Sequence, residues 1–301
     1  MKPSIIILSY NSCESLSATL SSIVPLTDDI QVVDSGSTDG TVEIAVAFGA
    51  KVYSHAFQNY GDQRNWAIDN IPTKYAWQLH LDADEQVTTA LREELLALSE
   101  DAPEDGFFIR RYLRFMNRTL KHNLAPTWHM RLFRSGRGRC EVREYDQHFF
   151  CLGKTSELKG SMIDDIRMPL SEWTSRHNRW SDAEVREAQM GVVTGRIASK
   201  LTGNVVQRKR FARGFYDRSP LFLRAMGLFL YRYIFKGGFL DGKEGLIFCF
   251  LQTLWFRFLI DAKLVEAQRL KIRAPIQVSE ITPNPSTAFP KEVHANPRTN
   301  D

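Results

Sequence analysis

The sequence is short of the features that mark secreted, fibrous or nucleic-acid-coating proteins. It has four cysteines in 301 residues, Cys13, Cys140, Cys151 and Cys249. None forms a C-x-x-C pair and no histidine stands at zinc-ligand spacing, which argues against a disulfide framework or a structural zinc and fits reduced thiols in the cytosol. The chain begins Met-Lys-Pro-Ser, and only four apolar residues follow, at 5–8. A secretory leader needs an apolar stretch of about 7–15 residues, so none is expected. No internal repeat is present. Net charge is also low, formally +4, which is too little to argue for nucleic acid. What remains is the ordinary globular mixture, 43% hydrophobic and 25% charged, which excludes a wholly disordered, collagen-like or coiled-coil chain.

The charge is unevenly spread. Residues 196–243 hold 11 Lys and Arg against two Asp, which leaves the rest of the chain net acidic. Prolines gather at the other extreme of the sequence. Five of the 12 fall in residues 275–301, a stretch with little apolar periodicity that reads as a loose tail without a core of its own.

The first hundred residues alternate apolar strand-like runs with amphipathic stretches. Strands are expected at 5–8, 30–33, 51–54 and 75–81. Helices are expected at 14–23, 41–48, 61–70 and 88–98. This βαβα rhythm predicts an α/β fold around a mainly parallel sheet. Short β-like runs at 107–111, 130–133 and 149–152 suggest a mixed sheet edge facing substrate. A polar helical stretch covers 170–202. Three regions are expected: a catalytic α/β domain over 1–195, a basic and apolar helical region over 196–272, and the tail over 273–301.

Two acidic clusters fall at the carboxyl ends of predicted parallel strands, where open α/β sheets bind ligands. The first is Asp34 with Ser35, Ser37 and Asp39. Its carboxylate can accept hydrogen bonds from a nucleobase or ribose, or the cluster can be a turn that caps the next helix. The second is Asp82-Ala83-Asp84-Glu85. Carboxylates two residues apart can hold a hard divalent cation beside a diphosphate, or can form a solvated acidic turn.

These segments together resemble the family 2 glycosyltransferases. The resemblance is carried by Ile5-Ile-Ile-Leu-Ser-Tyr-Asn11, Val32-Val-Asp-Ser-Gly-Ser-Thr-Asp-Gly-Thr41 and Leu79-His-Leu-Asp-Ala-Asp-Glu85, with Gly61-Asp-Gln-Arg-Asn65 between the last two. It covers residues 1–150 most strongly. His177-Asn-Arg-Trp-Ser181 and residues 235–246 extend it to a subgroup that builds bacterial surface polysaccharide and lipopolysaccharide core. The resemblance implies an A-type nucleotide-binding fold and direct, inverting displacement at the anomeric carbon. It implies that Ser9, Asn11, Asp34 and Ser37 line the nucleoside pocket. Arg64 and Asp82 would lie near the diphosphate, and Asp84, with Asp82, would hold Mn2+ or Mg2+. The donor expected is a UDP-sugar, with a GDP-sugar as the alternative. The acceptor is a saccharide or a lipid-linked saccharide. The acceptor hydroxyl needs a general base, and Glu144-Tyr-Asp-Gln-His148 offers Asp146, with Glu144 as the fallback. Where relatives carry a histidine ahead of the Trp-x-x-x-His-Asn segment, this chain has Ile163-Asp-Asp-Ile166, so Asp164 and Asp165 are not carried over as site residues.

Other α/β chemistries fit less well. A sugar nucleotidyltransferase would carry a Gly-rich, Arg-containing loop after its first strand, where this chain has Ser9-Tyr-Asn-Ser12. An Asp-x-Asp phosphatase would place its pair after the first strand, not at residue 82. A non-catalytic scaffold with a decayed site would have no reason to keep Asp34, Asp82 and Asp84.

Residues 221–235 and 245–260 are strongly apolar, interrupted by Arg224, Arg232, Gln252 and Arg257. The second run reaches only about 24 Å as a helix, against roughly 30 Å for a bilayer core. The alternatives are interfacial helices at an anionic cytoplasmic membrane face, or core helices with their arginines in water. Aromatic and aliphatic residues interleaved with the basic ones suit lipid better than nucleic acid. The expected location is therefore cytoplasmic and peripheral on the inner face of the membrane. Gly237-Gly238 and Asp241-Gly242 mark a turn between the two apolar runs.

Overall fold

Four consecutive isoleucines and leucines leave β1 (Ser4–Ser9) no polar face, and it lies in the middle of a sheet covered on both sides. The computed structural model describes residues 1–122, 126–141, 147–190, 197 and 200–269. On one side of β1, Ile5 and Ile7 pack with Leu16, Leu20 and Ile23 of α1 (Cys13–Ile23). On the other, Ile6 packs with Val33, Ala67 and Ile71, at and beyond α3 (Tyr60–Asn70). Alternate side chains of one strand thus feed two cores.

Strands β2 (Ile30–Asp34) and β3 (Lys51–Ser54) extend the sheet on one flank, and β4 (Trp77–Asp82) adds on the other. The order β3-β2-β1-β4 is parallel throughout. Helix α2 (Thr41–Ala47) joins β2 to β3. Chain order reverses between β1 and β4, which creates a crevice at their carboxyl ends. The register puts Ser9 beside Asp34 and Leu8 beside Asp82 at that edge.

Beyond β4 the sheet becomes mixed, as the short Arg- and aromatic-rich runs suggest. Strand β8 (Thr127–Arg134) is antiparallel to both β4 and β6 (Gly106–Phe115), so β6 runs in the same direction as β4. Strand β7 (Arg118–Leu120) folds back on β6 through Met116 and Asn117, both at positive φ, the geometry of a two-residue hairpin turn. Strand β11 (Thr155–Ile166) pairs in parallel with β6, and the short β5 (Glu85–Val87) closes the far edge against β11. Helix α4 (Thr89–Ala97) covers the α1 side through Leu91 and Leu95. A small ribbon, β9 (Gly138–Cys140) with β10 (Phe149–Cys151), lies outside the main sheet.

The helical part begins with α5 (Leu170–Met190) and α6 (Val205–Arg218). Helix α7 (Leu223–Leu230) runs on into a π-helical stretch at Tyr231–Phe235. After a single 3-10 turn, Gly238–Asp241, the chain returns through α8 (Gly242–Cys249), a second π-helical stretch, and α9 (Phe256–Arg269). The expected turn is where the glycines require it. Gly237 and Gly242 have φ of +71° and +72°, and a Cβ on Gly245 would sit 2.7 Å from the Gly238 carbonyl.

Most of the polar residues that interrupt the two apolar runs face protein. Arg224 is paired with buried Asp261. Arg257 Nη1 is 2.8 Å from Glu184 of α5. Gln252 meets His177 of α5, and Lys263 binds Asn178 and Asp182. The His-Asn segment on α5 therefore ties helices together. His177 is 3% exposed, stacks on Trp173 at 3.5 Å, and places Nδ1 2.9 Å from the Trp173 carbonyl.

Burial pushes the His177 pKa down to about 4 and that of fully enclosed His80 to about 3. Both imidazoles are neutral in the fold, whereas the unfolded chain protonates them near 6.5. Neither affects stability above that pH. Below it the unfolded state takes up more protons, so the melting temperature should fall steadily from pH 6.5 to pH 4. Thermal melts of His177→Gln, which cannot titrate, should show a shallower fall over the same window. An unchanged slope in that variant would remove His177 as a cause.

Candidate active site

The β1–α1 and β2–α2 loops meet at the crevice through a dense set of hydrogen bonds. The Asp34 carboxylate accepts from Ser9 Oγ at 2.9 Å, Gly36 N at 2.9 Å, Ser37 N at 2.8 Å and Ser37 Oγ at 2.5 Å. That uses both of its oxygens to build the loop. Asn11, at φ 45°, donates its backbone N–H to Ser37 Oγ and accepts from Thr38 N at its side-chain oxygen. Ser9, Asn11, Asp34 and Ser37, expected to line one pocket, are thus brought together. Asn11 is exposed and Asp34 buried at 4%. Asp39 knits the starts of two helices, accepting from Cys13 N and from Thr41 N and Oγ1. Burial favours its neutral form, but these hydrogen bonds hold its pKa down to about 2.

The Gly61–Asn65 element resolves into separate tasks. Gly61 lets α3 approach the Glu141 carbonyl, which a Cβ would meet at 2.6 Å. Asn65 exchanges two hydrogen bonds with the Cys140 backbone, at 3.0 and 2.9 Å, and so fixes the β9 ribbon. Gln63 reaches Ser35 Oγ at 3.0 Å. Arg64 places Nη2 3.0 Å from Asp82 Oδ1.

Arg64 is one end of a buried chain of charges. Arg131, on β8, binds Asp82 at 2.6 Å and Glu85 at 2.5 Å. Glu85 also accepts from Asp82 N at 3.0 Å, and Arg111 of β6 lies 3.1 Å from Asp164. Burial would raise Asp82, but Arg131 and Arg64 hold it well below the usual carboxylate range. Asp82 therefore has two cationic partners before any ligand arrives.

Asp84 has none. Its carboxylate takes part in no hydrogen bond or ion pair among the described residues. Removal from water, and the nearby Asp164, Asp82 and Glu85, push its pKa well above the ordinary value. Burial also lifts Asp164 to about 6, against the pull of Arg111. The β5–β11 register places Asp164 opposite Glu85, one residue from Asp84. Asp165 is on the other side of the strand, paired with Arg114 and Arg167.

Sequence reasoning thus missed Arg131, Arg111 and Asp164. The arginines sit in strands without a motif, and Asp164 was set aside because it replaces an expected histidine. Asp146 and Glu144 lie outside the described residues.

Among the described residues no group of three or more His, Cys, Asp or Glu side chains is gathered at metal-binding spacing. The donor set still fits a hard cation. Mg2+ sites of this kind use one or two carboxylates and fill the shell with water and substrate phosphates. Asp84, with the Asp164 carboxylate close enough to raise its pKa, is a carboxylate of the kind such a site uses.

Comparison with known proteins identifies the family. The sequence model for Glycosyl transferase family 2 matches residues 4–158. The lipopolysaccharide core biosynthesis glycosyltransferase LpsC of Rhizobium meliloti (strain 1021) is 25% identical over 258 residues, 81% of this chain and 85% of that protein. An uncharacterized glycosyltransferase of Rickettsia bellii (strain RML369-C) is 32% identical over 128 residues. That match spans 42% of this chain and 43% of the relative, so the chain aligns with under half of that relative's length. Among solved structures, S. aureus TarS 1–349 in complex with UDP-GlcNAc aligns over 90% of this chain and 92% of its own, at 14% identity and a TM-score of 0.47. The family model covers more than half of the sequence, and the chain belongs to glycosyl transferase family 2.

Proposed function

We propose that the protein is an inverting, metal-dependent glycosyltransferase. It moves a sugar from a UDP-sugar, or alternatively a GDP-sugar, to a saccharide or lipid-linked acceptor in lipopolysaccharide or surface polysaccharide assembly. The single observation that carries the reading is Asp84, a carboxylate without a partner at the topological switch point, beside the loops of Ser9 and Asp34. The extended similarity to LpsC supports the acceptor class. Residues 1–195 would form the catalytic unit and 196–272 the acceptor-side helical unit.

Asn11, Asp34 and Ser37 would contact the nucleoside through the preassembled loop pair. Arg64 would face the diphosphate from its place on Asp82. Asp84, with Asp164 beside it, would hold Mn2+ or Mg2+, which when bound supplies positive charge to the leaving diphosphate. An acceptor hydroxyl attacks the anomeric carbon, the new C–O bond forms as the anomeric carbon–phosphate oxygen bond breaks, and configuration inverts. The hydroxyl proton passes to Asp146, with Glu144 as the alternative base.

Calorimetric titration of UDP and GDP into the purified protein, with and without Mn2+, tests the donor side. Binding of one nucleotide, strengthened by Mn2+, is expected. Folded protein that binds neither would reduce the family membership to shared fold.

A further inference from the structure

We propose that the two helical arms formed by residues 223–235 and 238–255 are a docking surface for the anionic face of a lipid bilayer, along which they lie without crossing it. This deepens the transferase reading, on which it rests only for why the surface adjoins the site. Half of the exposed large apolar side chains among the described residues fall between 223 and 258. On the first arm Leu223, Met226 and Leu230 repeat at helical spacing and face outward. On the second arm Leu246 is exposed, and Phe250 is half exposed where it meets Phe229 of the first. The arms pack against each other through Phe229 and Phe250. Among the described residues nothing covers these exposed side chains, and Phe235 at the tip is 78% exposed. Exposed large apolar side chains concentrated in this way on one pair of helices mark an interaction site.

The length of the second arm raises the question of a spanning helix. Gly238–Arg269 forms a helical stretch of 32 residues with a mean hydropathy of 1.5 in its most apolar window. Its second half is committed elsewhere. Phe256, Ile260 and Asp261 are buried, and Arg257, Asp261 and Lys263 are tied by ion pairs to α5 and α7. Threading α9 through a bilayer would break those pairs, so the arms can only rest on the surface.

The charge at the tip selects the occupant. Lys236, Lys243 and Lys121 are exposed around the apolar tip. The acids there are used internally and are outnumbered. Asp241 accepts from the backbone N–H groups of Lys121 and His122, and Glu244 is shared between Arg118 at 3.8 Å and Lys243 at 3.9 Å. A symmetric contact with a second copy would bring like charges together, whereas anionic headgroups complement them.

The surface also adjoins the catalytic edge. Strands β6 and β11 run in the direction of β1, β2 and β4, so their carboxyl ends share the edge that carries Asp34 and Asp84. Phe115 ends β6 and packs on Phe248 of α8 at 5.1 Å, and β7 carries Arg118 to Glu244. An acceptor held in the membrane would meet the donor site from this side.

Sedimentation of the full chain with vesicles tests the proposal. The wild type should pellet with phosphatidylcholine vesicles containing phosphatidylglycerol and bind pure phosphatidylcholine more weakly. Phe235→Glu with Leu240→Glu should lower partitioning roughly tenfold or more on both. Lys236→Glu with Lys243→Glu should lower it roughly tenfold on anionic vesicles only. UDP binding in the presence of Mn2+ should be unchanged in both, which also certifies their fold. Wild-type protein that binds UDP but no vesicle overturns the surface and leaves the transferase reading intact. Vesicle binding without UDP binding upholds the surface and overturns the other. A wild-type dimer dissolved by the apolar variant, with no vesicle binding, assigns the ridge to a second copy and overturns the proposal.

Discussion

Asp84→Asn should abolish Mn2+-dependent UDP binding and lower transfer by roughly 10³-fold or more, because metal stabilisation of a leaving diphosphate is worth several kcal/mol. It should do so without cost to the fold. Asp84 has no internal partner, so its removal orphans nothing. Its pKa is raised in the folded state by removal from water and by Asp164, Asp82 and Glu85. Above the unfolded value near 3.8, the native chain therefore holds a proton that the unfolded chain gives up, and stability falls as pH rises toward the raised pKa. Deleting the charge removes that loss. Without metal, the Asn variant should melt at or above the wild-type temperature at neutral pH. Added Mn2+ should raise the wild-type melting temperature and leave the variant unmoved. Asp82→Asn makes the contrast, since it strips a shared carboxylate from Arg64 and Arg131. That variant should lose stability as well as activity. Retention of Mn2+-dependent UDP binding in Asp84→Asn would sink the metal assignment.

The parallel half of the molecule was legible because its signals are local. The 5–8 run is apolar on every residue, and only a strand covered on both faces tolerates that. Asp34 and Asp82 could be placed at one edge because parallel strands with helical crossovers leave their carboxyl ends together. Strand β11 gave no such signal. Its 12 residues are paired on both sides yet carry Glu157, Lys159, Asp164 and Asp165, and the pairing with β6 shifts register between Glu157 and Ser161. Gly160 marks the reason. A Cβ there would sit 2.4 Å from Leu91 Cα of α4, and Glu94 accepts from the backbone N–H groups of Lys159 and Gly160. That irregularity erases the alternation from which a strand is read. With β11 unread, Asp164 could not be placed beside Asp84. The arginines of the apolar helices misled for a different reason. Sequence shows that Arg224 and Arg257 interrupt an apolar run, but not that Asp261 and Glu184 wait for them on other helices. The positive charge that flanks the apolar tip is carried by exposed lysines instead.

Arg131→Met should cost about 3–5 kcal/mol, the usual penalty for breaking a buried ion pair from one side. Arg131 is 3% exposed and, among the described residues, is the one that binds both Asp82 and Glu85. Methionine keeps much of the volume and stays beside the Phe149 ring, over which Arg131 lies at 6.0 Å, so the loss reports charge and not a cavity. After the change Asp82 keeps Arg64, and its side chain is 29% exposed, so water can share the burden. Glu85 is fully buried and keeps only the Asp82 backbone N–H at 3.0 Å and Arg111 at 3.4 Å. Most of the penalty should therefore fall on Glu85. Adding Glu85→Gln to Arg131→Met should recover part of the stability, since the orphaned charge goes while the amide oxygen still accepts from Asp82 N. In urea denaturation the double variant should be more stable than the sum of the two single losses predicts, by about 1–3 kcal/mol. A loss below about 0.5 kcal/mol for Arg131→Met would mean that the charge chain beneath Asp84 contributes nothing to the fold and that Arg131 is free to serve a bound diphosphate instead.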